Sequence, residues 1–251
     1  MEGEIKVNIT NQVGEIIFHH PKSNSLPSNL LSGLINEIKS LSANNSCAVI
    51  KLTSKGTTFC AGASLNELLA IENDKQAIDF FSGFGFLIEA IKNCPKFVIA
   101  EVNGKAVGGG VGIIAACDYV VALDSASIKL SELSIGFGPF VIAPSVIRKI
   151  GVTAFSSLTI DSENWKTAEW CFNKGLYNHL AYNQEELSKK TSELCNTLAS
   201  YSKQAMKEIK KMLWEGTNNL EDIHKIRAKL SGSLSQSSHA QSILSKLKKS
   251  I

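Results

Sequence analysis

Apolar and polar residues alternate from the start of the chain. Ile5, Val7 and Ile9 are spaced by polar positions, an Asn11-Gln12 step interrupts them, and Val13-Gly14-Glu15-Ile16-Ile17-Phe18 resumes the apolar run, which predicts a β-hairpin. Ser28 is placed to cap a helix whose residues Leu30, Leu31, Leu34, Ile35, Ile38 and Leu41 recur at helical spacing and form one buried face. Cys47 to Thr53 reads as a buried strand, and after a polar loop Phe59-Cys60-Ala61-Gly62-Ala63-Ser64-Leu65 places small residues at a strand-to-helix junction. About fifty residues on, the arrangement recurs. A helical stretch ends at Asn93-Cys94-Pro95, Phe97 to Val102 reads as a strand, Asn103-Gly104 turns, and Gly108-Gly109-Gly110 opens an apolar helix. The strand pair Tyr119 to Leu123 and Ala126 to Leu130 follows. The pattern predicts an α/β protein, a superhelical stack of ββα turns over residues 1–185. Glu185 to Leu198, Ser202 to Trp214 and Leu220 to Leu230 are amphipathic without strands, so residues 186–251 form an all-helical C-terminal region.

Composition narrows the class. With 44% hydrophobic residues, 5 Pro and a net charge of +3, the chain has the make-up of a globular protein and no strong demand for nucleic acid or an anionic membrane. The longest apolar run, Ala106 to Cys117, falls well short of the ~20 residues of a membrane span. The opening Met1-Glu2-Gly3-Glu4 shows neither a secretory signal nor a basic presequence, and the expected location is cytoplasmic. The 6 Cys form no CxxC pair and read as reduced core thiols, and the 5 His form no HxxxH pair, so no metal is expected. Lys203, Lys207, Lys210 and Lys211 share one helix, read as a solvated face with phosphate contact as the alternative.

Candidate chemistry starts at the glycines. Gly108-Gly109-Gly110-Val111-Gly112 lacks the GxGxxG order and no GK[ST] follows any glycine, which excludes Rossmann and P-loop readings. Two similar junctions remain, Ala61-Gly62-Ala63 and Gly108-Gly109-Gly110, each leaving backbone N–H groups unpaired at a helix start. They are either tight helix–sheet packing sites or two N–H donors aimed at one carbonyl oxygen, an oxyanion hole.

Three segments carry a family resemblance: Phe59-Cys60-Ala61-Gly62-Ala63, the run from Ala100-Glu101-Val102-Asn103-Gly104 to Gly110, and Ala116-Cys117-Asp118-Tyr119. In order and approximate spacing they resemble the crotonase, or enoyl-CoA hydratase/isomerase, superfamily. Leu130-Ser131-Glu132-Leu133-Ser134-Ile135-Gly136 and Lys174-Gly175-Leu176 extend the likeness over residues 5–180, and it weakens over the C-terminal helices. The resemblance implies a crotonase-like ββα spiral, a helical region that makes a homotrimer or a dimer of trimers, and an acyl-CoA substrate whose coenzyme A is part of the substrate, with no separate cofactor. It implies that the N–H groups of Ala63 and Gly109 hold the thioester oxygen, and that the substrate lies along Ala61, Gly62, Ser64, Leu65 and Gly108, with Asn24 and Ser25 near the adenine. Lys22 is read equally as a phosphate contact and as a solvated turn lysine. The family's Arg-x-Glu-Gly step near the end is absent, which puts in question a neighbouring subunit's contribution through Lys246 or Lys248.

Two departures leave the reaction open. Hydratases of the family resemble one another in carrying two glutamates that work on a water; here Gly112 stands at the first and Glu132 at the second, the expected acid/base. Phe140, in Gly138-Pro139-Phe140-Val141-Ile142, would crowd or dry the water site. One carboxylate suits a 3,2-enoyl-CoA double-bond isomerase, since a single base can remove a proton and return it. Hydration would require Glu132 to do both steps or to recruit Ser131, Glu67 or Glu89. The stretch after Ser131 nonetheless resembles a single-glutamate branch of methylglutaconyl-type hydratases, and the expectation leans narrowly to a hydratase. A non-catalytic acyl-CoA- or RNA-binding protein is the third reading.

Overall fold

The computed structural model describes residues 3–249. The hairpin forms as expected: β1 (Glu4–Thr10) pairs antiparallel with β2 (Val13–His19), and Asn11 and Gln12 turn the chain with φ of 50° and 63°. The helix α1 (Ser28–Ala43) buries Leu30, Leu31, Leu34, Ile38 and Leu41. Its cap differs from expectation. Pro27 holds the N-cap position, and Ser28 instead donates its N–H and hydroxyl to the Glu67 carboxylate at 2.7–3.1 Å. An acid from the next turn of the spiral thus satisfies donors that a helix start leaves orphaned.

Each turn of the spiral then places one strand in each of two sheets before a helix returns the chain. The first runs β3 (Val49–Ser54), β4 (Thr58–Cys60), α2 (Leu65–Leu68) and α3 (Asp74–Asn93). The second is shorter and runs β5 (Val98–Val102), β6 (Lys105–Val107) and α4 (Gly109–Ala116), followed by β7 (Tyr119–Leu123) and β8 (Ser127–Lys129). A 3-10 turn (Leu133–Ile135), α5 (Ala143–Ile160), β9 (Lys166–Thr167), α6 (Ala168–Asn173) and β10 (His179–Ala181) complete the spiral. One sheet has the order β1-β2-β3-β5-β7-β10, parallel beyond the hairpin, and the other the order β4-β6-β8-β9. Strand β5 is buried at every position, as a parallel strand covered on both faces must be. Helix α4 is buried from Gly110 to Ala116, so it has no polar face to show.

The C-terminal helices α7 (Gln184–Ala199), α8 (Lys203–Leu213), α9 (Leu220–Ser235) and α10 (Ser238–Lys249) close over this core. Cys195 and Ala199 of α7 pack with Val49 and Ile99 of the large sheet and with Ala48 just before β3. Lysine-rich α8 is not a uniform basic face: Lys210 is buried, 2.8 Å from Asp118, and its Nζ also donates to the Lys96 carbonyl. Lys203 donates to the Asn45 carbonyl and Lys211 pairs with Glu208. The lysines of this helix therefore serve docking and solvation more than a phosphate stripe. Lys246 is exposed on α10, and the Lys248 side chain lies outside the described residues. Among the described residues all six cysteines are buried thiols, and no helix is long and apolar enough to cross a membrane.

Candidate active site

Strands β4 and β6 run parallel and adjacent, so the helix starts that follow them lie side by side. Gly62 and Gly108 take φ of 85° and 54°, a region that side-chain-bearing residues rarely enter. A Cβ on Gly62 would lie 3.0 Å from the Val107 carbonyl oxygen and 3.7 Å from the Gly109 nitrogen; one on Gly110 would lie 2.7 Å from the Cys60 carbonyl oxygen. Gly62 and Gly110 therefore perform the close packing that was one reading of these junctions. Their neighbours leave the other reading open. The N–H groups of Ala63 and Gly109 have no acceptor among the described residues. Two free donors on interlocked backbones are what an oxyanion requires.

Glu132 follows β8, whose Lys129 carbonyl accepts the Gly108 N–H at 3.0 Å. This pairing brings the acid to the glycines: a Cβ on Gly108 would sit 2.9 Å from Glu132 Oε1. The residue as a whole is half-buried, but Oε2 is shut from solvent and has no hydrogen-bond partner among the described residues. Burial pushes the carboxyl up from 4.5 to about 7, opposed only by a hydrogen bond from its own backbone.

This shift has a consequence for stability. Between pH 4.5 and about 7 the folded protein holds a proton on Glu132 that the unfolded chain has released. Stability from this group is thus intact below pH 4.5, falls as pH rises through the window, and is lowest above about 7. The loss is on the order of 3 kcal/mol. Glu132→Gln should therefore match wild type in denaturant melts at pH 4 and exceed it by about that amount at pH 8. Equal stability at both pH values would show that the carboxyl is not desolvated.

The free N–H groups and Glu132 face a cavity of about 260 Å³. Of the residues expected at the site, Ala61, Gly62, Ala63, Leu65, Gly108, Gly109, Glu132 and Phe140 line it. Four others do not. Asn24 is a buried clamp: its Nδ2 donates to the Lys55 and Thr58 carbonyls at 2.7 and 2.6 Å, and its Oδ1 accepts from the His20 N–H. Ser25 Oγ lies 3.2 Å from His20 Nδ1, and Ser64 caps α2 by accepting from the Glu67 N–H. Asn24 thus fastens the turn 20–26 to the Lys55–Thr58 loop, and backbone bonds from the Ala61 N–H to the Ser23 carbonyl and from the Leu26 N–H to the Gly62 carbonyl set that turn beside the Ala61–Ala63 junction. Lys22 is exposed on that same turn.

The position of the absent first glutamate is filled. A Cβ on Gly112 would lie 2.4 Å from Ile142 Cγ2, so no longer side chain fits there. Among the recruits considered for hydration, Ser131 lines the cavity, whereas Glu67 holds the start of α1 and Glu89 lies 2.7 Å from His224 Nδ1. Glu132 is the single ionisable side chain lining the cavity among the described residues. Phe80, Phe81 and Phe84 of α3, with Ser231 and Leu247 from the C-terminal helices, complete the wall and are additional to the expected set. The phenylalanines have a sequence signal in their i, i+1, i+4 spacing. Ser231 and Leu247 have none, since only tertiary packing brings them here.

A family model described as enoyl-CoA hydratase/isomerase matches residues 8–249. "Enoyl-CoA hydratase ACTT6" of Alternaria alternata is 30% identical over 203 residues, covering 81% of this chain and 66% of that protein. "Probable enoyl-CoA hydratase" of Bacillus subtilis is 26% identical over 239 residues, covering 94% of this chain and 92% of its own. The chain spans only 60–66% of the length of the Alternaria proteins it matches. The crystal structure of an enoyl-CoA hydratase from Bacillus halodurans superposes with a TM-score of 0.89 at 22% identity, covering 96% of this chain and 99% of that one, a likeness of fold.

Proposed function

Because the chain belongs to the enoyl-CoA hydratase/isomerase family, we propose that it moves a proton at the acyl chain of an unsaturated acyl-CoA, with Glu132 as the acid/base and the Ala63 and Gly109 N–H groups as the oxyanion hole. The observation that carries this reading is the single carboxylate lining the cavity among the described residues, set beside Gly108 with the missing partner's space filled by Ile142. Such a site performs double-bond migration directly. Glu132 takes a proton from C2, the electron pair passes into the thioester carbonyl as a dienolate, and the two N–H donors stabilise the oxygen. The carboxyl then returns its proton to C4, so the C3=C4 bond becomes C2=C3 with no water consumed. Helix α4, starting at Gly109, adds its positive end to the oxyanion. The backbone of Ala61 to Leu65 and exposed Lys22 hold the coenzyme A portion, and the C-terminal helices make a homotrimer or a dimer of trimers.

Hydration is the second reading, favoured by the names of the Alternaria and B. subtilis relatives. It requires Glu132 both to activate water and to supply the α-proton. Purified protein should be given a 3-enoyl-CoA and a 2-enoyl-CoA separately, with products resolved by mass. Conversion of the first to a 2-enoyl thioester, with no hydroxyacyl product from either, is the expected result. Water addition to the 2-enoyl thioester would establish the hydratase, and binding of both without turnover would leave a non-catalytic acyl-CoA protein.

A further inference from the structure

The cavity walls differ sharply in character from its floor. Phe80, Phe81, Phe84, Phe137 and Phe140 line the same cavity as Glu132 and the two free N–H groups. Phe81 bridges Phe80 and Phe137 in edge-to-face contacts with ring centroids 5.1 and 5.2 Å apart, so the wall is a fixed aromatic surface. Ser131, Ser231 and Glu132 are the polar side chains lining it, and no Lys, Arg or His lines it among the described residues. Arg227 stands on the other side of Phe140: it donates from Nη1 to the Phe140 carbonyl at 3.2 Å and lines an adjoining cavity of about 540 Å³.

We infer that the substrate's acyl group beyond C4 is uncharged and apolar, and that acyl thioesters carrying a distal carboxylate, including the methylglutaconyl type, are rejected. The inference rests on the proposed seating of the thioester carbonyl at Ala63 and Gly109, which directs the acyl chain toward the phenylalanines. A carboxylate there would lose its water, find no cation among the described residues, and face the Glu132 carboxylate across an apolar space. It would also hold Glu132 protonated to higher pH, which removes the base. An apolar group meets neither penalty and displaces weakly held water from aromatic walls.

Two thioesters of one branched skeleton test this, the first a 3-enoyl-CoA ending in methyl and the second bearing a carboxylate in its place. Turnover is measured as kcat/KM, and the saturated analogues of both are titrated by calorimetry for Kd. The methyl compound should be favoured at least about a hundredfold in both quantities. Equal or tighter binding of the carboxylated analogue would overturn the inference. If neither 3-enoyl thioester turned over while the Kd ratio held, the isomerase reading would fail and the account of the acyl pocket would stand.

Discussion

Glu132→Gln is expected to lower kcat by about 10³-fold or more while leaving the Kd for a saturated acyl-CoA within a few-fold of wild type. General acid–base catalysis by one positioned side chain contributes on the order of 10²–10⁴. Here no second ionisable group lines the cavity among the described residues to assume part of that role. Glutamine keeps the shape of the protonated acid but cannot accept the C2 proton. The same residue sets the pH dependence. A base whose carboxyl titrates near 7 must be ionised to act, so wild-type kcat/KM should fall about tenfold per pH unit below that value and level off above it. An acid limb near 4.5 would point to an ordinary solvated carboxylate, and wild-type turnover by the glutamine variant would remove Glu132 from the mechanism.

Restoring the absent glutamate should break the fold before it creates a hydratase. The Gly112 Cα faces Ile142 so closely that a Cβ would meet its Cγ2 at 2.4 Å and its Cβ at 2.7 Å. Overpacking of this kind costs about 1–3 kcal/mol. A carboxylate placed among Ile88, Ile142 and buried α4 would add an unpaired polar group to that penalty. Gly112→Glu should therefore melt roughly 10 °C or more below wild type, at about 2–4 °C per kcal/mol for a chain of this size. Gly112→Ala should lose less, and adding Ile142→Ala to it should recover most of the loss. A Gly112→Glu protein with wild-type melting temperature would show that the site has room for two acids.

Local features of the molecule are legible in its sequence to the extent that they repeat or interrupt a period. The helical spacing from Leu30 to Leu41 records one buried face and the structure shows it, whereas the alternation of Ile5, Val7 and Ile9 gives the strand but only a half-buried face, with Ile9 exposed at the hairpin end. The glycine junctions are legible because close backbone approach leaves small residues in a row. Strand β6 is hidden, since three residues between Gly104 and Gly108 are too few to show alternation. Helix α5 is hidden for another reason: Gly151 at φ 76° kinks it and breaks its periodicity. At the site, the motif positions locate the donors and Glu132, but Asn24 and Ser64 are polar residues whose partners lie in the fold itself. Only the three-dimensional arrangement shows which carbonyls and N–H groups those are. Gly112 carries half of its meaning in the sequence, as a missing acid. The other half, that Ile142 fills its space, depends on a contact between distant segments.

One carboxyl in a largely apolar cavity is proposed to move the proton. A 3-enoyl-CoA deuterated at C2 tests it most directly, with the position of label in the 2-enoyl product read by mass spectrometry and NMR in a single turnover in ordinary water. Glu132 should carry part of the deuterium from C2 to C4, giving C4-labelled product. A product with no deuterium at C4, or a 3-hydroxyacyl thioester containing an oxygen from water, would contradict the account.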